Sequence, residues 1–352
     1  MLPSRRTKFY WDFGSGYDLF LSLRALTEPD VYGLRASWAA GVLGRLPAEY
    51  RKTLETGCLV LGNPFYFVHH LSKPKTAEVV LQTLADMPAG QRMVALTRHG
   101  KQPKQFRETL RMTVPTKRWT KAEKDLITGT YLSLEKEVTS TFLDKLYQAW
   151  AHRESFGDIY LKALNAYYED FFAAEEQRIL PYLRQGLSHA QMRSGSLPLG
   201  AMIEELSSGV RYADLESITG LHLAPSFWGA PFLHYEPLDG NEMLMLFGAR
   251  PETLPLIPGD IVPDTLLLGL KALSDSTRLR ILRFLAQSPQ TATQLSRALR
   301  LRPPTVAHHL RELRIAGVVQ VIVDPDSETQ YATRFDGFET VQDLLTHFVH
   351  GD

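Results

Sequence analysis

The amino-terminal two-thirds of the chain places apolar residues at the three- and four-residue steps of amphipathic helices. Residues 76–87 have this spacing, and Pro88 follows them as a helix terminator. Residues 120–123, Thr-Lys-Ala-Glu, form a capping box, so one long helix is predicted from there towards Trp150. A further helix is predicted over residues 156–184. These patterns predict a mainly helical amino-terminal region.

The pattern changes after Gly209 to short, partly alternating segments at residues 215–223, 231–235 and 241–247. The Asp-Gly pair at residues 239–240 is typical of a tight turn between strands. Together these segments predict a small antiparallel sheet over residues 210–248.

Proline and glycine are dense between residues 251 and 263, which favours an extended linker there. The linker divides the chain into an amino-terminal domain of residues 1–250 and a carboxy-terminal domain of residues 264–352. The predicted fold class is mostly α with small β, an α+β protein.

The carboxy-terminal domain has the pattern of four helices followed by a hairpin. The first helix covers residues 265–273, and Asp275 caps the second. A Thr-Ala-Thr-Gln capping box at residues 291–294 opens a short third helix. The fourth begins at Arg302-Pro-Pro-Thr and ends at Gly317, because proline suits a first helical turn and glycine a left-handed terminus.

Two strands, residues 318–323 and 329–334, come next, and an acidic turn at residues 324–328 joins them. Two short helices, a tight turn and a β-hairpin are the arrangement of a winged helix-turn-helix.

Charge is balanced over the whole chain but not within this domain. The 352 residues include 39 basic and 39 acidic ones, so a general positive charge is excluded as the cause of nucleic-acid or membrane binding. Residues 276–314 nevertheless contain eight arginines and one acid, Glu312, a local net charge of +7. Such a cluster binds phosphates. The alternative is a solvated, arginine-rich face of an ordinary helical bundle.

The carboxy-terminal domain also resembles the ArsR-type winged-helix transcriptional regulators. The segments that carry the resemblance are KALSDSTRLRILRFLAQ (271–287), TATQLSRALRLRPPTVAHHLRELRIAGVVQ (291–320) and QYATR (330–334). They cover about a fifth to a quarter of the chain. The resemblance implies a homodimer that reads a pseudo-palindromic operator with two recognition helices in successive major grooves, and it implies repression.

The chain departs from this family in three ways. The third helix lacks the Cys-x-Cys of the arsenic and cadmium sensors, which excludes thiolate metal sensing. The turn at residues 324–328 is acidic, which argues against insertion of the wing into DNA. About 250 residues precede the winged helix, whereas typical family members are little more than that domain.

Residues near the start of the fourth helix are the candidates for DNA contact. Arg302, Thr305 and His308 are predicted to read base edges. Phosphate contacts are predicted for Thr291, Thr293, Arg297, His309 and Arg311. His309 has an alternative role in internal packing, and Arg278 is expected to brace the helices with Asp275 rather than to contact DNA.

Asp343, His347 and His350 fall at i, i+4 and i+7 on a helix predicted over residues 339–350. Some ArsR-type regulators hold zinc between paired carboxy-terminal helices with such ligands. The favoured alternative is an amphipathic dimer helix with exposed histidines and an apolar side at Val341, Leu344, Leu345 and Phe348. We therefore predict neither metal nor cofactor.

The amino-terminal domain offers weaker signals. Residues 142–182 hold ten aromatic side chains with interspersed acids, which suits either a packed helical core or a pocket for a flat or cationic ligand. Cys58 with His69 and His70 has no motif spacing and is expected to be a buried thiol with incidental histidines. No pattern typical of a catalytic site is present, so the chain is not predicted to be an enzyme.

The sequence thus predicts a DNA-binding transcriptional regulator, a repressor of ArsR type that binds double-stranded DNA as a homodimer. The amino-terminal domain is expected to tune it through a small-molecule effector or a partner. Two alternatives stay open, a winged helix that binds another protein and a winged helix accessory to an enzymatic amino-terminal domain. A single cysteine, no signal peptide and no membrane-length apolar stretch predict a cytoplasmic protein.

Overall fold

The computed structural model describes residues 7–132, 138–207, 209–212, 215, 217–257, 262–323 and 328–350. Most of these residues are helical, and the strands form two small sheets, which confirms the predicted fold class. In the part of the chain described, no helix combines the length and hydropathy needed to cross a membrane.

Thirteen α-helices lie between residues 16 and 206 of the described chain. They are α1 (Gly16–Thr27), α2 (Pro29–Tyr32), α3 (Ala36–Leu43), α4 (Ala48–Leu61), α5 (Phe65–His69), α6 (Ala77–Asp86), α7 (Ala89–Leu96), α8 (Lys104–Arg111), α9 (Lys121–Leu132), α10 (Ser140–Ala151), α11 (Arg153–Tyr167), α12 (Ala173–Ser194) and α13 (Leu199–Leu206). A π-helical turn, Tyr168–Phe172, joins α11 to α12, so the helix predicted over residues 156–184 is confirmed within a longer one.

The long helix predicted from residue 120 towards Trp150 is wrong. The capping box is present, with the Glu123 amide donating to Thr120 Oγ1 at 3.3 Å. The chain, however, forms two helices, α9 and α10, and α10 has its own cap because Thr139 Oγ1 accepts the Phe142 amide at 3.1 Å. Residues 133–137 between them lie outside the described part.

The amino-terminal sheet contains β1 (Lys8–Trp11), β3 (Gly220–Ser226), β4 (His234–Pro237) and β5 (Glu242–Gly248), in the order β1-β3-β5-β4. The antiparallel arrangement predicted for it is wrong, since β3 is parallel to both β1 and β5. Only β4 and β5 form the predicted hairpin, through a turn at Asp239–Asn241. Apolar alternation predicts strands but not their direction, and the nearly continuous burial of β3 is typical of a central parallel strand.

Helices of the amino-terminal domain pack around this sheet with a large aromatic core that includes Trp228, Tyr17, Tyr167 and Phe172. A buried polar link ties α1 to the end of β3: Asp18 Oδ1 accepts from Ser226 Oγ at 2.8 Å and from the Trp228 amide at 2.7 Å. Burial raises the pKa of Asp18 from 3.8 to about 7.

The carboxy-terminal domain follows the predicted order of elements. Its helices are α14 (Asp264–Leu273), α15 (Ser276–Leu285), α16 (Ala292–Leu299), α17 (Pro303–Ile315) and α18 (Phe335–His350), and its strands are β6 (Gln290–Thr291), β7 (Val319–Val323) and β8 (Gln330–Thr333). Apolar side chains of α15, α16 and α17 enclose a separate core. The last helix begins four residues earlier than predicted.

The two domains are packed against each other. β2 (Val210–Tyr212), from the segment predicted to belong to the amino-terminal sheet, instead pairs in parallel with β7 and extends the wing sheet to β2-β7-β8-β6. Within the predicted linker, Leu256 and Ile257 are buried in the amino-terminal core. Arg250, just before the linker, forms an ion pair at 3.0 Å with Asp264, just after it. Residues 258–261 lie outside the described part. The described linker residues are therefore folded against the domains rather than extended.

Candidate nucleic-acid interface

Two helices, α16 and α17, meet in a tight turn at residues 300–302. The capping box predicted at the start of α16 is formed, with the Gln294 amide donating to Thr291 Oγ1 at 3.1 Å and the Thr291 amide donating to Gln294 Oε1 at 2.8 Å. Arg300 closes α16 in a left-handed conformation with φ of 57°. Ser296 Oγ then donates to the Leu301 carbonyl at 2.6 Å, which fixes the turn.

The fourth helix of the domain, α17, has one buried and one exposed face. Val306, Leu310 and Leu313 face the core of the domain. Prolines occupy its first positions, where helical amides have no intrahelical acceptor, and Gly317 with φ of 72° follows its end. The predicted boundaries of this helix are confirmed.

Arg302, Thr305 and His308, predicted to read bases, are all exposed on α17 or at its start. Arg311 lies one turn beyond them, and its Nη2 is 3.0 Å from His308 Nδ1. The helix thus presents a continuous polar stripe to solvent. Donors at this position of a helix can reach acceptors on the edges of bases in a major groove.

A comparison with known protein families finds a match for this helix pair. Residues 275–321 match the model of the bacterial regulatory proteins of the arsR family. The match covers α15, α16, α17 and the start of β7, so this segment of the carboxy-terminal domain is similar to the helix-turn-helix of the arsR family, which indicates a DNA-binding transcription regulator. Comparison with curated proteins and with solved structures gave no significant match.

Of the five residues predicted to contact phosphate, Arg297, Arg311 and Thr293 are exposed on the carboxy-terminal domain. Thr291 is only 8 % exposed, and its hydroxyl serves the capping box. Thr293 Oγ1 donates to Glu328 Oε1 at 2.7 Å, at the base of the wing. These two threonines therefore position α16 and the wing, a structural use that a sequence pattern of exposed hydroxyls does not reveal.

His309, the fifth of these residues, is half-buried. Its Nδ1 lies in the interior without a hydrogen-bond partner in the described chain, and burial lowers the pKa of the imidazole. The charges of Asp275 and Arg278 also act on it. The internal packing role considered for His309 therefore fits its position better than a contact with phosphate.

The arginines of the cluster divide into two groups. Six of them are exposed: Arg280, Arg283, Arg297, Arg300, Arg302 and Arg311. Arg278 braces the domain, as predicted, although it does so by donating to the carbonyls of Lys271 and Ala272 at 2.7 and 2.8 Å. Arg314 faces the amino-terminal domain, with its guanidinium 5.3 Å from the centre of the Phe232 ring.

Arg300 was given no role by the sequence pattern, yet it stands exposed between the two helices beside Arg302. Its left-handed φ places it in the turn of the motif. The sequence did contain a signal for Arg300. Arg300 and Arg302 flank Leu301, and such a pair places two cations in the turn immediately before the fourth helix.

The wing and the last helix carry the remaining site predictions. Residues 324–327 of the acidic turn lie outside the described residues. Asp343, His347 and His350 are exposed on α18, where His347 Nδ1 is 2.7 Å from the Asp343 carbonyl oxygen. Among the described residues, no group of three or more histidines, cysteines or acids is arranged to hold a metal ion.

The chemistry considered in the amino-terminal domain is buried. The Cys58 thiol is in the interior, where burial raises its pKa to about 11. His69 instead lies 3.3 Å from Asp12 Oδ2, which also accepts from Tyr17 and from Lys75. Most of the aromatic side chains between residues 142 and 182 belong to the packed core, although Trp150 also lines a cavity.

Proposed function

We propose that this protein is a sequence-specific transcriptional repressor that binds a pseudo-palindromic operator as a homodimer. The observation that carries the proposal is the exposed stripe of Arg302, Thr305 and His308 on α17, within the segment that matches the arsR family. Arginine there is suited to the paired acceptors of guanine, which makes the stripe a reader of sequence. Repression is the usual mode of the regulators that the domain resembles.

Electrostatics supports contact with the DNA backbone on both sides of this stripe. Arg297 and Arg300 lie before it and Arg311 after it, all exposed. Arg311 lies 3.9 Å from Glu312, a half-buried acid. Uncompensated guanidinium groups release counterions from DNA, so affinity falls as the salt concentration rises.

Exposed apolar side chains on two packed helices support the homodimer. Leu266 on α14 packs against Val341 and Leu344 on α18. The outer sides of the pair still expose Leu267, Leu270, Leu345, Phe348 and Val349. Covering them with the same surface of a second copy removes this apolar area from water and sets two α17 helices in one assembly.

The amino-terminal domain is assigned an effector-sensing role rather than a catalytic one. Its clustered titratable groups, Asp12, Tyr17 and Lys75, are at most 5 % exposed and hydrogen-bonded to one another. The domain touches the carboxy-terminal end of α17 through Arg314 and leaves its amino-terminal half open. A ligand that shifts this contact changes the position of the recognition helix relative to DNA, provided that it binds the two arrangements with different affinity.

Selection from a random duplex library tests the proposal without assuming an operator sequence. The full chain is incubated with the library, bound DNA is amplified over several rounds, and the enriched sequences are aligned. We expect an inverted repeat with half-sites about 10 base pairs apart, one helical turn. Enrichment of a single half-site would contradict the homodimer, and absence of any enriched motif would contradict sequence-specific binding.

A further inference from the structure

A cavity of about 390 Å³ lies in the helical part of the amino-terminal domain. It opens between α7 and α8 and reaches Trp150 on α10. Its volume is in the range of sites that enclose small organic ligands. A second cavity of about 280 Å³ adjoins it and shares Gln91, Val94 and Arg111.

The charged side chains that line the larger cavity are all cationic: Arg98, Arg107 and Arg111. Arg107 and Arg111 are one helical turn apart on α8, and neither has a hydrogen-bond or ion-pair partner within the described residues. Arg98 has two partners, the exposed Asp239 at 3.3 Å and the ring of Tyr66, whose centre is 4.8 Å from the guanidinium carbon. The cavity therefore carries positive charge that the chain itself does not neutralise.

Trp150 adds an unsatisfied donor. Its side chain is 2 % exposed, and its indole Nε1–H has no acceptor in the described chain. Leaving such a group unpaired is unfavourable, so buried donors normally have a partner. Because Trp150 lines the cavity, an acceptor atom on a bound molecule could supply that partner.

The rest of the wall is largely apolar and includes Met87, Val94 and Leu110. Apolar walls bind a hydrocarbon body, whereas a guanidinium group binds a carboxylate through two parallel hydrogen bonds and a second one nearby adds positive charge. Inorganic phosphate would leave the apolar walls without a partner, and a neutral hydrocarbon would leave the arginines without one.

We propose that this cavity binds a small organic carboxylate with an aromatic or aliphatic body. Arg107 and Arg111 hold the carboxylate, Trp150 donates to it, and the apolar wall contacts the hydrocarbon. Of its lining residues only Trp150 belongs to the aromatic-rich segment 142–182, and the charge of this cavity suits an anion rather than the cation considered for that segment. Its use as the effector site rests on the proposed DNA-binding function, but the binding itself does not.

Calorimetric titration of the full chain with benzoate, 2-naphthoate and octanoate tests the proposal. Each carboxylate is compared with its neutral amide, and inorganic phosphate is titrated separately. We expect at least one carboxylate to bind with a Kd below about 1 mM and at least tenfold more tightly than its amide, since a hydrogen bond to a charged group contributes about 1.5–3 kcal/mol. Phosphate is expected to show no comparable binding.

Three variants locate the site. The double variant Arg107→Gln with Arg111→Gln should weaken carboxylate binding at least tenfold, and Trp150→Phe, which keeps an aromatic ring in the core, should weaken it several-fold. Lys104→Gln on the same helix is the control, because Lys104 is exposed and does not line the cavity. Circular dichroism establishes that each variant is folded.

The proposal is overturned if none of the three carboxylates binds, if amides bind as tightly as acids, if phosphate binds as tightly as the carboxylates, or if the double variant retains full affinity. None of these results would bear on the library selection, which tests DNA binding alone. If the carboxylates fail to bind and the library selection yields an operator, the protein is a DNA-binding regulator without this ligand site.

Discussion

Arg314 on α17 lies over the Phe232 ring of the amino-terminal domain, with 5.3 Å between the guanidinium carbon and the ring centre. The contact is made at the end of α17 remote from Arg302. A strand of the amino-terminal domain, β2, also pairs with the wing strand β7. The two domains therefore have a defined relative orientation, and the amino-terminal domain contacts the carboxy-terminal end of α17.

Gly209 tests this attachment. Its φ is 102°, and a Cβ added to it would lie 3.0 Å from Gln320 Cβ in the wing sheet. We expect Gly209→Ala to lower the free energy of unfolding of the full chain by about 1–3 kcal/mol, the usual cost of such a conformation for a residue other than glycine. Urea denaturation measures it. Gly200→Ala is the control, because open space surrounds a Cβ at that position of α13.

An unchanged midpoint for Gly209→Ala would contradict the close docking of residues 209–212 on the wing. Gly200→Ala should leave stability unchanged or raise it slightly, since alanine favours a helix over glycine by up to about 1 kcal/mol.

Arg297 is predicted to contact a phosphate. Its replacement by alanine should weaken the binding of every duplex by a similar factor and reduce the slope of log affinity against log salt by about 1. Titrations of a selected and a scrambled duplex at several salt concentrations measure both effects. Arg45→Ala, an exposed arginine of the amino-terminal domain, should change neither. A slope equal to that of the unmodified protein would remove Arg297 from the interface.

Phe348 tests the homodimer. A charge in an apolar interface is costly, so Phe348→Asp should raise the dimer dissociation constant at least tenfold, and sedimentation equilibrium measures that constant. His347→Asp is the control because His347 is exposed on the same helix, on the side opposite to Leu345 and Val349. If the two variants dimerise equally well, the exposed side of α14 and α18 is not the interface.

Asp18 predicts a pH dependence of stability. Its pKa is raised from 3.8 to about 7 by burial, so the folded protein keeps a proton that the unfolded chain has lost. The stability that this proton contributes is complete below pH 3.8 and is lost as the pH rises through 7. Between about pH 5 and pH 8 the loss from this group is about 2–3 kcal/mol.

Asp18→Asn carries no titrating group and should escape that loss. Its free energy of unfolding, compared with that of the unmodified protein, should therefore improve by about 2 kcal/mol between about pH 5 and pH 8. Urea denaturation at the two pH values measures the difference. The exposed Asp30→Asn is the control. Parallel curves for Asp18→Asn and the unmodified protein would show that Asp18 is already ionised in the fold.

The carboxy-terminal domain was predictable because its signals are local. Asp275, the Thr291 capping box, Pro303 and Gly317 each mark a helix end through contacts within a few residues. The exposed positions of Arg302 and His308 follow from the periodicity of α17 once its core residues are identified.

The features that sequence reasoning missed depend on distant contacts. Strand β1 pairs with β3 across more than 200 residues, and that pairing makes the amino-terminal sheet mixed rather than antiparallel. β2 has the composition of a strand, but nothing near it in the chain shows that its neighbour is β7. Likewise, Arg314 belongs to the arginine cluster in sequence, but in the fold it packs against Phe232, whereas six other arginines of the cluster are exposed.

The central claim, that the exposed stripe on α17 reads DNA sequence, is tested most directly by fluorescence anisotropy. The unmodified protein and the double variant Arg302→Ala with His308→Ala are each titrated with the selected duplex and with a scrambled duplex of the same composition, at several salt concentrations. We predict that the unmodified protein prefers the selected duplex at every salt concentration and that the double variant binds both duplexes equally, with its salt dependence largely retained. A preference that survives in the double variant would contradict the account, as would equal binding of both duplexes by the unmodified protein.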